Sequence, residues 1–283
     1  MKNILLPTDF SQNSWEAIQY AITLFKDYTC TFYLMHSYEP QVSAPSTAVT
    51  SKRASAIILE SMRSEATLGL QNTLKQIKSL PENNNHTFKT VMVNDYFVSA
   101  VKSKIAKLDI DVVVVGTKGA SGLKEVTLGS NTAHLIGKLA CPILAVPTDV
   151  NFKGLRDVGF ATDFSITDYG DGLALLKDVA TAHNAKISLV HVLKKEKELT
   201  PEQLTSQDAL EAYLNPLHVT LFMLTDVPIE IGTRIFSESR QLDMMCVIAK
   251  KHSFFEKVFN KSQSKSISHH AKVPLIIFNE AAF

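Results

Sequence analysis

Asp111-Val112-Val113-Val114-Val115-Gly116-Thr117-Lys118-Gly119 is the stretch from which the fold can be read. Four consecutive valines with no polar residue between them describe a strand covered on both faces, the situation of a strand inside a parallel sheet. The glycines that follow end the strand and predict a sharp change of direction. Working outward, short β-branched runs predict strands at 3–6, 31–36, 87–93 and 143–146 as well as 112–115. Amphipathic patterns predict helices at 12–26, 52–80, 96–108 and 130–139. Strands alternating with helices give an α/β domain, a doubly wound, mainly parallel five-stranded sheet flanked by helices, with any ligand at the carboxyl ends of the strands. The polar stretch from Glu39 to Arg53, rich in serine and threonine, reads as a loop.

Most of this pattern occurs twice. Leu6-Pro7-Thr8-Asp9-Phe10-Ser11 returns as Phe160-Ala161-Thr162-Asp163-Phe164-Ser165, the strand ending at His36 returns as the one ending at His191, and Cys141-Pro142-Ile143 returns as Val273-Pro274-Leu275. A period this long is a duplicated domain rather than a solenoid. The chain of 283 residues is therefore expected to hold two tandem domains, 1–149 and 150–283. With 45% hydrophobic residues, 20% charged residues and a net charge of +1, it can bury a sizeable core and has no global field for nucleic acid or an anionic membrane. No signal peptide or membrane span is evident, so the expected location is the cytoplasm. Cys30, Cys141 and Cys246 are odd in number and far apart, and are expected as buried, reduced thiols.

After the valine strand come Gly116-Thr117-Lys118-Gly119, nine residues from Ala120 to Leu128, and Gly129-Ser130-Asn131 at a predicted helix start. Glycines there allow backbone N–H groups to approach an anion, and a helix opening favours one. The same spacing also fits a tight turn and a plain helix start. Neither a G-x-x-x-x-G-K-[ST] loop nor a G-x-G-x-x-G fingerprint is present. Asp9 is open to two readings, a ligand contact or the N-cap of the helix at Gln12, a role Ser11 fills equally well. His36 and His191 end matching strands and read as structural, and adjacent histidines such as His269-His270 diverge on a helix and form no metal face.

Gly-x-x-Gly, nine residues, Gly-Ser resembles the signature of ATP-binding members of the universal stress protein family. The resemblance extends to Leu5-Leu6-Pro7-Thr8-Asp9-Phe10-Ser11, to the strand ending in His36 and to Cys141-Pro142-Ile143, and it covers almost the whole chain as two consecutive domains. It implies an adenosine pocket lipped by Pro7, Thr8 and Asp9, with Asp9 near ribose or a phosphate-bound metal. Ser37 and Val115 would border the base, and Gly116, Gly119, Gly129, Ser130 and Asn131 would surround the phosphates. The implied ligand is ATP with Mg2+, with no metal held by protein groups alone. The chain departs from the family at Val93-Asn94-Asp95, where many relatives carry a glycine-containing turn.

In the second copy, Ala249-Lys250-Lys251-His252 is set against Gly116-Thr117-Lys118-Gly119, and Lys261-Ser262 against Gly129-Ser130, with the intervening segment one residue shorter. All three glycines are replaced, so this copy is expected to be degenerate, with Phe254, Phe255 and Phe259 packing rather than stacking on a base. The implied function is a cytoplasmic, stress-response-type nucleotide-binding regulator that acts on a protein partner not named by the sequence. Family members commonly pair through the last strand, which implies internal pairing of 143–146 with 275–278; a homo-oligomer is left open. The rivals are an interaction module without nucleotide and a slow ATPase. No catalytic residue is assigned.

Overall fold

The computed structural model describes residues 1–39, 48–117, 130–193, 198–249 and 273–283. The chain begins with β1 (Lys2–Pro7), α1 (Gln12–Leu24), β2 (Cys30–Tyr38), α2 (Ala48–Lys78) and β3 (His86–Asn94). It continues with α3 (Phe97–Leu108), β4 (Val112–Gly116), α4 (Ser130–Leu135) and β5 (Ile143–Val146). The second half runs β6 (Asp157–Ala161), α5 (Ala174–Ala182), β7 (Lys186–Leu193), α6 (Pro201–Leu214), β8 (Val219–Thr225), α7 (Ile229–Ser239), β9 (Met244–Ala249) and β10 (Leu275–Asn279).

All ten strands form one sheet in the order β3-β2-β1-β4-β5-β10-β9-β6-β7-β8. Each half is a parallel, doubly wound five-stranded unit, and the halves meet where β5 and β10 pair antiparallel, with Ile276 opposite Leu144. The expected pairing through the last strands is thus the seam of the molecule. The valine strand is buried throughout from Val112 to Val115, because α1 and α2 cover one face of the first half and α3 and α4 the other. One core layer runs unbroken through both halves, from Ile4 and Phe32 to Phe160 and Phe278.

Polar contacts stitch the same seam. The Tyr28 hydroxyl donates to the Asp178 carbonyl at 2.7 Å. His183 Nε2 donates to the Leu24 carbonyl at 2.9 Å, and Lys2 forms an ion pair of 2.7 Å with Asp178. Asn279 Nδ2 reaches the Leu139 carbonyl at 2.6 Å.

Two sequence expectations are corrected. The loop expected from Glu39 to Arg53 does not persist to its end, since α2 opens at Ala48; the alanines and basic residues of 48–56 favour a helix more than the serines and threonines oppose it. Cys141 is only half-buried, whereas Cys30 and Cys246 are buried. Loss of solvent still pushes the thiols up, Cys30 to about 11 and Cys141 to about 12, consistent with protonated cysteines near neutral pH. No described helix is long and apolar enough to cross a membrane.

Candidate functional site: the crevice between β1 and β4

The strand order reverses between β1 and β4. From β1 the chain moves outward to β2 and β3, then returns to place β4 and β5 on the other side. In such sheets the helices on either side of the reversal leave a crevice beyond the strand ends. Leu5 stands beside Val113, which brings Pro7 level with Val115 and Thr8 level with Gly116. Two of the sequence-marked segments therefore meet at the crevice.

The corner after β1 is built by its own side chains. Thr8 N continues the sheet by donating to the Met35 carbonyl at 2.8 Å. Phe10 then turns the chain with φ of 63°, and its N–H is captured by Thr8 Oγ1 at 3.0 Å. Asp9 Oδ1 accepts from Ser11 N at 3.1 Å and from Ser11 Oγ at 2.6 Å. Ser11 in turn accepts from Ser14 N and is the N-cap of α1. Of the two readings open for this helix start, the cap is Ser11, and Asp9 is an exposed carboxylate braced by it. His36 Nδ1 donates to the Thr8 carbonyl at 2.7 Å and its ring stacks on Phe10 at 4.4 Å. His36 thus has a bracing role.

The other wall is Val115-Gly116-Thr117. Val115 is buried and Gly116 ends β4 beside Val146. A Cβ on Gly116 would lie 2.3 Å from Asn13 Oδ1 and 2.9 Å from the Asn13 carbonyl oxygen. Glycine at 116 is therefore required by α1, whose buried Asn13 presses against the end of β4. The Gly116 carbonyl accepts from Thr132 Oγ1 at 3.0 Å, which ties α4 to the end of β4. Thr117 donates its N–H to Val146 at 3.0 Å, but its side chain is 3% exposed and its hydroxyl has no hydrogen-bond partner. A buried donor left unmade costs about 1–3 kcal/mol.

The structure thus places Pro7, Thr8, Asp9, Val115 and Gly116 around one crevice. Ser37, half-buried near the end of β2 and paired with Val93, lies one strand over, beyond β1. Gly119 and Gly129 lie outside the described residues, as does Lys118. Ser130 and Asn131 open α4, with their side chains outside the described set. Asn13, Thr117 and Thr132 were not singled out from sequence. Thr117 sat inside the quoted loop with no pattern to mark it, and Asn13 contacts Gly116 only through the fold. Among the described residues no group of three or more His, Cys, Asp or Glu side chains could hold a metal.

The second half repeats the corner and closes it. Thr162 Oγ1 accepts from Phe164 N at 3.1 Å, and His191 Nδ1 donates to the Thr162 carbonyl at 2.8 Å. Phe10 is 38% exposed, however, while Phe164 is 1% exposed. The shorter α6 lies across this corner: Gln203 Nε2 donates to the Asp163 carbonyl at 2.9 Å, and Ser206 Oγ donates to the Ile166 carbonyl.

Strand register also corrects the alignment of the two loops. Leu5 pairs with Val113 and Gly159 with Met245, while Gly116 pairs with Val146 and Ile248 with Phe278. The counterpart of Gly116 is therefore Ile248, not Ala249, and the segments leading to β5 and β10 have equal length. Lys250, Lys251, Lys257, Lys261, the three phenylalanines and His269-His270 lie outside the described residues, as do Lys194 to Lys197.

A family model described as the universal stress protein family matches residues 1–147. A universal stress protein of Methanocaldococcus jannaschii is 30% identical over 145 residues, 51% of this chain and 81% of that protein. One of Bacillus subtilis is 24% identical over 144 residues, 50% of this chain and 97% of that protein. Among solved structures, a universal stress protein from Archaeoglobus fulgidus superimposes with a TM-score of 0.64 at 16% identity, covering 97% of this chain and 95% of that one. This last likeness is one of fold.

Proposed function

The chain belongs to the universal stress protein family, and from that premise we propose that its first domain, 1–149, binds ATP with Mg2+ in the crevice between β1 and β4. The second domain, 150–283, takes no nucleotide and serves as a permanent pairing partner. The observation that carries this reading is Thr117, a buried hydroxyl without a partner at the mouth of the crevice where the strand order reverses. It suits an anionic ligand, which would accept its proton. The residues present fit such a ligand: Asp9 stands at the lip for ribose or a phosphate-bound metal, and Ser37 and Val115 border the base. Gly116, Gly119, Gly129, Ser130 and Asn131 are assigned to the phosphates. Bound there, ATP supplies a triphosphate and Mg2+ its countercharge.

Three features support the asymmetry. Ile248 replaces Gly116, Phe164 is buried, and α6 is hydrogen-bonded across the second corner. Occupancy of the first domain is read as changing association with a protein partner. A homo-oligomer would use a surface other than the β5 edge, which β10 already occupies. Calorimetric titration of the nucleotide-stripped chain with ATP and Mg2+, beside Gly129→Val and with AMP for comparison, tests this. One site per chain, lost in the variant, is expected. A folded chain that binds no ATP would return the reading to an interaction module.

A further inference from the structure

The sheet opens at Pro7. β1 stays paired with β2 as far as Pro7 and Met35, but its pairing with β4 ends at Leu5 and Val113. Along a strand, successive residues turn their N–H and C=O groups to opposite neighbours. Thr8 N faces β2, where it donates to the Met35 carbonyl, so the side toward β4 falls to Pro7, which has no N–H to give. On β4, Val113 N and Thr117 N both donate toward β5, to the Pro142 and Val146 carbonyls at 3.0 Å. Gly116, the alternate residue, therefore turns its carbonyl toward β1, into the crevice.

That carbonyl is taken by Thr132 Oγ1, which donates to it at 3.0 Å from a side chain 3% exposed. Thr23, Thr67, Thr73, Thr181 and Thr205 lie on helices and direct their hydroxyls to the carbonyl four residues back, the usual habit of a helical threonine. Thr132 instead reaches out of α4 to a strand end 16 residues earlier. We infer that Thr132 is a positioning residue for the phosphate site, holding the opening turn of α4, with Ser130 and Asn131, against the crevice and covering an acceptor that would face the anion. This rests on the ATP reading above. With the Gly116 carbonyl covered and the Thr117 hydroxyl open, this side of the crevice presents a donor to the ligand and hides an acceptor from it.

The test titrates ATP with Mg2+ and, by competition against ATP, adenosine into the full chain as wild type, Thr132→Val and Thr132→Ser. Valine keeps the branched shape and puts a methyl where the hydroxyl was; serine keeps the hydroxyl. T132V is expected to lose about tenfold in ATP affinity, as for a buried acceptor left without its donor, while its affinity for adenosine, which has no phosphate, stays within about twofold of wild type. T132S should bind ATP within about threefold of wild type. A wild type that binds ATP no better than T132V does overturns the role of Thr132 and leaves the ATP site standing. Equal loss of ATP and adenosine in T132V would make the role merely structural and overturn it, as would a T132S chain as weak for ATP as T132V. A folded wild type that binds no ATP removes the ATP reading and this inference with it.

Discussion

Replacing Gly116 by alanine tests why that glycine is there. The new Cβ would lie 2.3 Å from Asn13 Oδ1, 2.7 Å from Asn13 Cγ and 2.9 Å from the Asn13 carbonyl oxygen. The first of these is roughly 1.2 Å inside an ordinary contact of ~3.5 Å. Asn13 is 5% exposed and its backbone belongs to α1, so it cannot simply swing into solvent. Overpacking of this kind costs ~1–3 kcal/mol, of which about 0.5–1 is offset because alanine loses less chain entropy in a strand than glycine. The net loss expected is about 1–2 kcal/mol, or a fall in Tm of roughly 3–6 °C for a unit of this size. Denaturant unfolding followed by the fluorescence of Trp15, the chain's only tryptophan and itself in α1, reports on the affected helix. The double variant Asn13→Ala, Gly116→Ala should recover part of the loss, because the side-chain overlap disappears while the backbone contact remains. A G116A chain as stable as wild type, or no recovery in the double variant, would refute the assignment and return Gly116 to the phosphates alone.

Gly69→Ala should behave differently, since its Cβ would meet the Phe10 ring at 2.4 Å, the far end of a partly exposed side chain. Alone it is expected to cost under about 1 kcal/mol, as ~1 kcal/mol of helix propensity offsets the displaced ring; in a Phe10→Ala background the same change should stabilise by about 1 kcal/mol, which chemical denaturation of the four variants checks. At the seam, burial pushes the Tyr28 hydroxyl up to about 12, with Asp178 adding to the shift. Because the folded value lies above the unfolded value near 10, this stability is fully present below pH 10 and is lost as pH rises toward 12. Thermal melts across that range should show less alkaline loss in Tyr28→Phe than in wild type; an identical slope would place the effect elsewhere.

The elements that could be read from sequence were those whose surroundings leave one option. Val112 to Val115 is buried on both faces, so its apolar run is a strand wherever the sheet closes around it. The Thr-Asp-Phe-Ser corner was visible because its hydrogen bonds are local: Thr8 to Phe10 and Asp9 to Ser11 are two residues apart. What escaped depends on contacts remote in sequence. The start of α2 at Ala48 is set by a helix whose buried stripe, Ala66, Leu70, Thr73 and Ile77, lies turns away.

Asn13 and Gly116 are far apart in sequence and become partners only when α1 packs on β4, so the sequence offered a ligand use for glycine at 116 but not its contact with Asn13. The two halves differ at this position. In the second half Ile248 stands at the counterpart of Gly116, and α5 does not begin until Ala174, after an irregular stretch that ends in turns at 170–173. A helix that begins against the strand end, as α1 does, is also the one that holds Asp9 and Ser11 at the lip of the crevice. Gly116 thus serves the site through the helix it admits, which sets the lip at Asp9 and Ser11.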